Sequence, residues 1–254
     1  MRTAALISSL VAALVAAGAT LVPRVGHAAR PLTVARAAKG TLGVSRQRFT
    51  TDVQIVKNAQ RYVLHVRGSA APGTLAVRVR VEAERVDGTL APIASGAEFI
   101  DGPFLYQQAP NGMVVNGTVR WLRLRVASLP SASPMLTGLH DMSSEPLLRV
   151  LEVAHMPAHG SASGVFRGTV PYDDPVVVAS LSQLTNKTQF RDLRLTAVLG
   201  RDGLVHRLRL TGRTADGSAT LRIDSRLYAF GRPVHVAQPQ QRSFLDQQDG
   251  RLAA

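Results

Sequence analysis

The chain has 254 residues, no cysteine, 45% hydrophobic residues and a formal charge of +13, with arginine supplying 27 of its 30 basic residues. Such a length suits one core of ordinary size, and the missing cysteine excludes disulfide staples and a lipid on a cysteine, so packing alone must hold the fold. The charge favours anionic partners such as a membrane surface with anionic headgroups. One Trp, four Tyr and seven Phe are too few for the stacking platforms of a single-strand binder, so no nucleic-acid partner is expected.

Met1-Arg2 and the apolar run from Ala4 to Val22 read as the charged and hydrophobic parts of an export signal. Gly26-His27-Ala28 offers the small residues a signal peptidase reads, so residues 1–28 are expected to be a signal peptide cleaved after Ala28. Left uncleaved, the same run of about 19 residues would be a membrane anchor. Residues 29–48 are rich in Ala and Arg without clear period and are expected to be a flexible lead-in to a domain over 49–240, with a tail over 241–254.

From Arg61 onward the pattern alternates. Tyr62, Leu64 and Val66, then Leu75, Val77, Val79 and Val81 against Arg78 and Arg80, have the period of two that marks half-buried strands. Ala97 to Tyr106 and Met113 to Val119 read as strands around the turn Ala109-Pro110-Asn111-Gly112, and Trp121 to Val126 as another. The period then changes. Ser143-Ser144-Glu145-Pro146 is a helix start, and Leu147, Leu148, Val150, Leu151 and Ala154 form an apolar face before Met156-Pro157 ends it. Val177, Val178, Leu181 and Leu184 recur at helical spacing in a second helix over Pro175 to Leu184.

The last third is the clearest. Leu193, Leu195, Ala197 and Leu199 share one side of a strand, Asp202-Gly203 turns the chain, and Leu204, His206, Leu208 and Leu210 resume against Arg207 and Arg209. After Asp216-Gly217, Leu221, Ile223, Ser225 and Leu227 repeat the pattern against Arg222, Asp224 and Arg226. This is an antiparallel meander with an apolar face and an arginine-rich face. Together with two or three apolar helices it implies an α+β fold, a large antiparallel sheet covered on one side.

Reactive chemistry is weakly represented. His155 and His159 lie four apart, but Pro157 breaks the helix that would align them on a metal. Asp173-Asp174 before Pro175 suits helix capping, and Ser161-Ala162-Ser163-Gly164 lacks the glycine that must precede an elbow nucleophile. No phosphate loop or dinucleotide fingerprint occurs, so neither an enzyme nor a cofactor is expected.

The ordered segments "VRWLRLRVASL", "PLLRVLEVAHM", "GVFRGTV", "LTAVLGRDGLVHRLRL" and "YAFGRPVHVAQP" resemble the LolA-like lipoprotein family of actinobacteria over about Phe49 to Pro239. Trp121, Phe166-Arg167-Gly168, Asp202-Gly203, Phe230-Gly231-Arg232-Pro233-Val234 and Pro239 carry the likeness; Phe166 stands where the family usually has Tyr, and the lipidated cysteine is missing. The resemblance implies a strongly curved antiparallel sheet, a half-barrel, with helices covering its concave face, and a cavity there for a lipid or acylated ligand in the cell envelope. Leu122, Leu124, Leu193, Leu195, Leu208 and Leu210 of the sheet, with Leu148, Leu151 and Met156 of the first helix, are the candidate lining. The alternative is a secreted interaction module with a filled core, docking on an envelope partner or an anionic surface.

Overall fold

The computed structural model describes residues 33–108, 121–129, 134–157, 164–182, 185, 188–235, 244–248 and 251–252. The expected signal peptide, the turn at 109–112 with the strand at 113–119, Ser161 to Ser163, Leu184 and Pro239 lie outside them.

One open sheet organises the chain. Long hairpins build its first part: β1 (Gln47–Lys57), β2 (Gln60–Ala71), β3 (Thr74–Glu84), β4 (Leu90–Asp101), β5 (Phe104–Gln108) and β6 (Trp121–Arg125). A second meander contains β7 (Val165–Val170), β8 (Arg191–Leu199), β9 (Val205–Arg213) and β10 (Ala219–Tyr228), and the strands β11 (Phe244–Gln248) and β12 (Arg251–Leu252) follow. β10 pairs with β1 and joins the meanders, giving the order β12-β11-β6-β5-β4-β3-β2-β1-β10-β9-β8-β7. Among the described residues all pairings are antiparallel except β11 beside β6. The sheet does not close, since β12 and β7 stand at opposite ends of the order.

Among the described residues four α-helices accompany it: α1 (Val34–Leu42), α2 (Pro134–Asp141), α3 (Glu145–Val153) and α4 (Pro175–Ser182). α3 packs against α1, α2 and α4, while α1 also touches β8 and β9. The alternation of the last meander explains why a helix layer forms there. Leu195, Ala197, Leu208, Leu210, Ile223 and Leu227 are at most 2% exposed and meet Val34, Ala37, Ala38, Leu148 and Leu151 in a continuous core. Each such Val, Leu or Ile side chain contributes roughly 1.5 to 3 kcal/mol by leaving water. The fold class is therefore as expected: α+β, with a large, open, almost wholly antiparallel sheet and an apolar side under helices.

Several boundaries differ from the expectation, each for a local reason. The segment expected as a lead-in contains α1, in which Thr33 accepts the Arg36 N–H at 3.3 Å as N-cap and Val34, Ala37, Ala38 and Thr41 form the buried stripe. Thr41 Oγ1 donates to Ala37 O at 2.7 Å and accepts the Val205 N–H at 2.9 Å, fastening the helix to β9. Ala97 to Tyr106 is two strands, because Gly102 at φ 53° turns the chain between β4 and β5. Residues 244–248 and 251–252, expected in a tail, are β11 and β12.

The start of α3 falls at Ser143-Ser144-Glu145-Pro146 as expected. Ser144 occupies the N-cap position without a capping side-chain bond, and Ser143 Oγ accepts the Glu145 N–H at 3.2 Å instead. At α4, Asp174 Oδ1 accepts the Val176 N–H at 2.8 Å, the capping role expected of these acids. His206 departs from the apolar row assigned to it. A register shift opposes Leu199 to Val205, so Val205 and Leu208 both point into the core. His206 turns aside to donate to the Asp202 carboxylate at 2.9 Å and lies edge-on to Phe230.

Candidate functional site

Cross-strand pairing assigns every inward residue of β1, β2 and β3. Val53 opposes Leu64, which opposes Val81; Thr51 opposes Val66, which opposes Val79; Ile55 opposes Tyr62. The same rows run into β10 through Val53 and Ile223, and Thr51 and Ser225. This side of β1–β3 thus continues the apolar face that α1 and α3 cover further along the sheet.

Cover is incomplete here. Ile55, Leu64 and Val79 are partly buried where Leu208, Leu210 and Ile223 are fully so, and Tyr62 is 36% exposed. A cavity of about 500 Å³ occupies the difference, walled by Val53, Ile55, Tyr62, Leu64, Val79 and Val81 of the sheet and reached by Met142, Thr185 and Thr188 from the helical side. A second cavity of about 530 Å³ adjoins it at Thr185 and Thr188, bounded by Tyr172, Val177, Val178 and Leu181 around α4 and by Phe190 and Leu193 leading into β8. Each has the size of an ordinary small-molecule pocket, which is roughly 300 to 1,000 Å³.

Two groups of polar contacts shape these walls. Thr185 Oγ1 donates to Leu181 O at 2.8 Å and the Thr188 N–H donates to Thr185 O at 3.0 Å, so the hydroxyl and carbonyl at the junction are satisfied within the segment. Beside the wall, on the same inward face, the hydroxyls of Thr51 and Ser225 bond at 2.8 Å inside the core. Among the described residues Lys57 and Asp173 are the charged members of the two linings, one in each. The alternation that turns Val53 and Ile55 toward the helices also turns Lys57, at the end of β1, to that side.

The nine candidate lining residues all have places in this geometry. Leu193 borders the second cavity. Leu148 and Leu151 on α3 and Leu195, Leu208 and Leu210 on the sheet are at most 1% exposed inside the core and border neither cavity. Leu124 is buried opposite Leu105, Leu122 is half-buried opposite Gln107, and half-buried Met156 packs beside Gly168. The structure therefore brings most of these side chains together as core, and sets the hollow space over β1–β3 and beside α4. The row Leu75, Val77, Val79 and Val81 marks β3 as a strand as apolar as any in the last meander, without marking where along it the space lies.

The opposite side of the sheet carries ion pairs. Asp224 accepts from both Arg207, with Nε at 2.8 Å, and Arg209, with Nη2 at 2.9 Å. Burial raises the pKa of that carboxyl, but the two guanidinium hydrogen bonds outweigh it and hold it below its ordinary 3.8. Asp52 bonds His65 Nδ1 at 2.7 Å and Glu82 bonds Arg80 at 2.6 Å. Among the described residues no group of three His, Asp or Glu side chains is placed to hold a metal ion. No helix among them is long and apolar enough to cross a membrane.

No family model matches this chain, and no curated protein does. Among solved structures it is similar to LprF from Mycobacterium bovis, at 12% identity over 81% of this chain and 95% of that one, with a TM-score of 0.41. A DUF1329 family protein from Desulfovibrio piger aligns at 8% identity over 79% of this chain and 92% of that one, with a TM-score of 0.23. Likenesses at this level carry no argument about ligand or activity, which rests on the geometry above.

Proposed function

We propose that this protein is an exported, non-enzymatic binder of a long apolar molecule, a lipid or acylated ligand, held on the helix-facing side of β1–β3. One observation carries the reading. A face that is apolar from β8 to β3 is packed into one core over β8–β10 and around Phe49, Val66 and Val77, and is left hollow at the other end of β1–β3, with Ile55, Leu64, Val79 and Val81 on the wall. An apolar chain laid there removes both its own surface and theirs from water, at about 0.8 kcal/mol for each methylene buried. The basic start and apolar run of residues 1–22 support export, which would put such a carrier where lipids must cross aqueous gaps.

Lys57 gives the reading a polarity. Its ammonium stands on the same side of β1 as the wall, so an acidic headgroup would pair with it while the chain points toward Val53 and Leu64. A fluorescent fatty acid should bind the wild-type protein. Leu64→Trp, which fills the hollow with side chain, should weaken binding at least tenfold while shifting the melting midpoint little. Lys57→Glu should weaken a fatty acid and leave its methyl ester unchanged. Absence of any uptake by the wild-type chain would refute the proposal, and full uptake by a folded Leu64→Trp protein would move the site elsewhere.

A further inference from the structure

The other side of the sheet has its own order. In one cross-strand row, Arg207 opposes Arg226, Arg226 opposes Thr50, Thr50 opposes Arg67 and Arg67 opposes Arg78. Arg207 is bound by Asp224. Arg226, Arg67 and Arg78 are exposed, and none of them makes an ion pair among the described residues. Exposed Arg48 lies two residues along β1 from Thr50, and exposed Arg222 and Arg194 flank Thr211 in a parallel row, likewise without ion pairs among the described residues.

Like charges set directly opposite one another destabilise a sheet, and the neighbouring carboxylates do not relieve these. Asp224 is taken by Arg207 and Arg209, Asp52 by His65 and Glu82 by Arg80. The uncompensated guanidinium groups spread in two dimensions, about 4.8 Å from strand to strand and about 7 Å for every second residue along a strand. A plane of anionic groups complements such an array better than a single polymer strand does. The row from Arg207 to Arg78 holds no aromatic residue, and exposed Tyr228 opposite Arg48 is a single ring rather than a series on which successive bases could stack.

We propose that this arginine-rich face docks on a lipid bilayer with anionic headgroups, with Arg226, Arg67 and Arg78 as its central row. The docking face is opposite the hollow wall of β1–β3, so it stands or falls independently of the cargo reading.

Co-sedimentation with phosphatidylcholine vesicles, with and without phosphatidylglycerol, tests it at low salt. The wild-type protein should favour the phosphatidylglycerol vesicles, and added salt should abolish the preference. Each headgroup-facing arginine is worth roughly fivefold in partitioning, so Arg67→Gln/Arg78→Gln/Arg226→Gln should lose on the order of a hundredfold. Arg85→Gln/Arg201→Gln/Arg232→Gln, with the same change in net charge at exposed turns, should keep most of the preference. Thr50→Glu, placing a carboxylate between Arg226 and Arg67, should weaken binding by itself and decides the matter if the triple variant does not fold. Equal losses in the turn control, no preference for phosphatidylglycerol, or binding to single-stranded DNA but not to vesicles would each overturn the proposal. Fatty-acid uptake by the same proteins reads the cargo site separately and should be unchanged by all of these substitutions.

Discussion

The β8–β10 and β1–β3 regions present the same kind of face to the helices but are finished differently. Over β8–β10, Leu195, Leu208, Leu210 and Ile223 share one core with residues of α1 and α3 and have essentially no exposure. Over β1–β3, Ile55, Leu64 and Val79 alternate as regularly yet remain half-buried beside a cavity of about 500 Å³. Strand periodicity determines which way a side chain points, whereas the helix opposite determines whether it meets another side chain or a space. The two regions therefore predict different responses to the same substitutions.

The largest difference should come from a charge. Leu208→Asp buries a carboxylate with no partner and should cost 4 kcal/mol or more, roughly, enough to prevent folding. Truncation comes next: Leu210→Ala should lower stability by about 2 to 5 kcal/mol, while Val79→Ala, on the hollow wall, should cost less than about 1 kcal/mol. Urea titrations of the two proteins check the contrast, and equal losses would mean that β1–β3 is as filled as β8–β10.

A smaller effect sharpens the comparison from the outer side. Asp224→Asn removes the negative charge shared by Arg207 and Arg209 and turns one of its two acceptor oxygens into a donor, and should cost about 1.5 to 3 kcal/mol at neutral pH. Because the folded carboxyl titrates below its ordinary 3.8, its contribution is complete above that value and is lost as pH falls through the depressed one. The stability gap between wild type and Asp224→Asn should therefore close in that acid range, as thermal melts from neutral to low pH would register. A gap that stayed constant there would show that the pair adds no pH-dependent stability.

The facing of the last meander was legible because Leu193 to Leu199, Leu208 to Leu210 and Leu221 to Leu227 each alternate cleanly and its turns carry Asp-Gly. Gly203 and Gly217 take φ 76° and 71°, and Asp216, accepting from Thr214 and Ser218, is held at about 2. His206 was misread because a bulge displaces the period by one residue and leaves no mark of its own in the residue types. α1 escaped notice behind its alanines, although Val34, Ala37, Ala38 and Thr41 have the spacing i, i+3, i+4, i+7. The hollow could not be located from alternation at all. Leu208 and Leu64 look alike in a strand pattern, and only the position of α3 and Met142 distinguishes a filled layer from an open one.

Covalent mapping of a bound chain tests the central claim most directly. A fatty acid bearing a photoactivatable group along its chain would be bound, irradiated and located by mass spectrometry of the digested protein. The account predicts adducts in the peptides containing Val53 to Leu64, Val79 to Val81 and Met142, which diminish in Leu64→Trp. Adducts confined to α1, α3 and β8–β10, or labelling no greater than that of the heat-denatured chain, would contradict it.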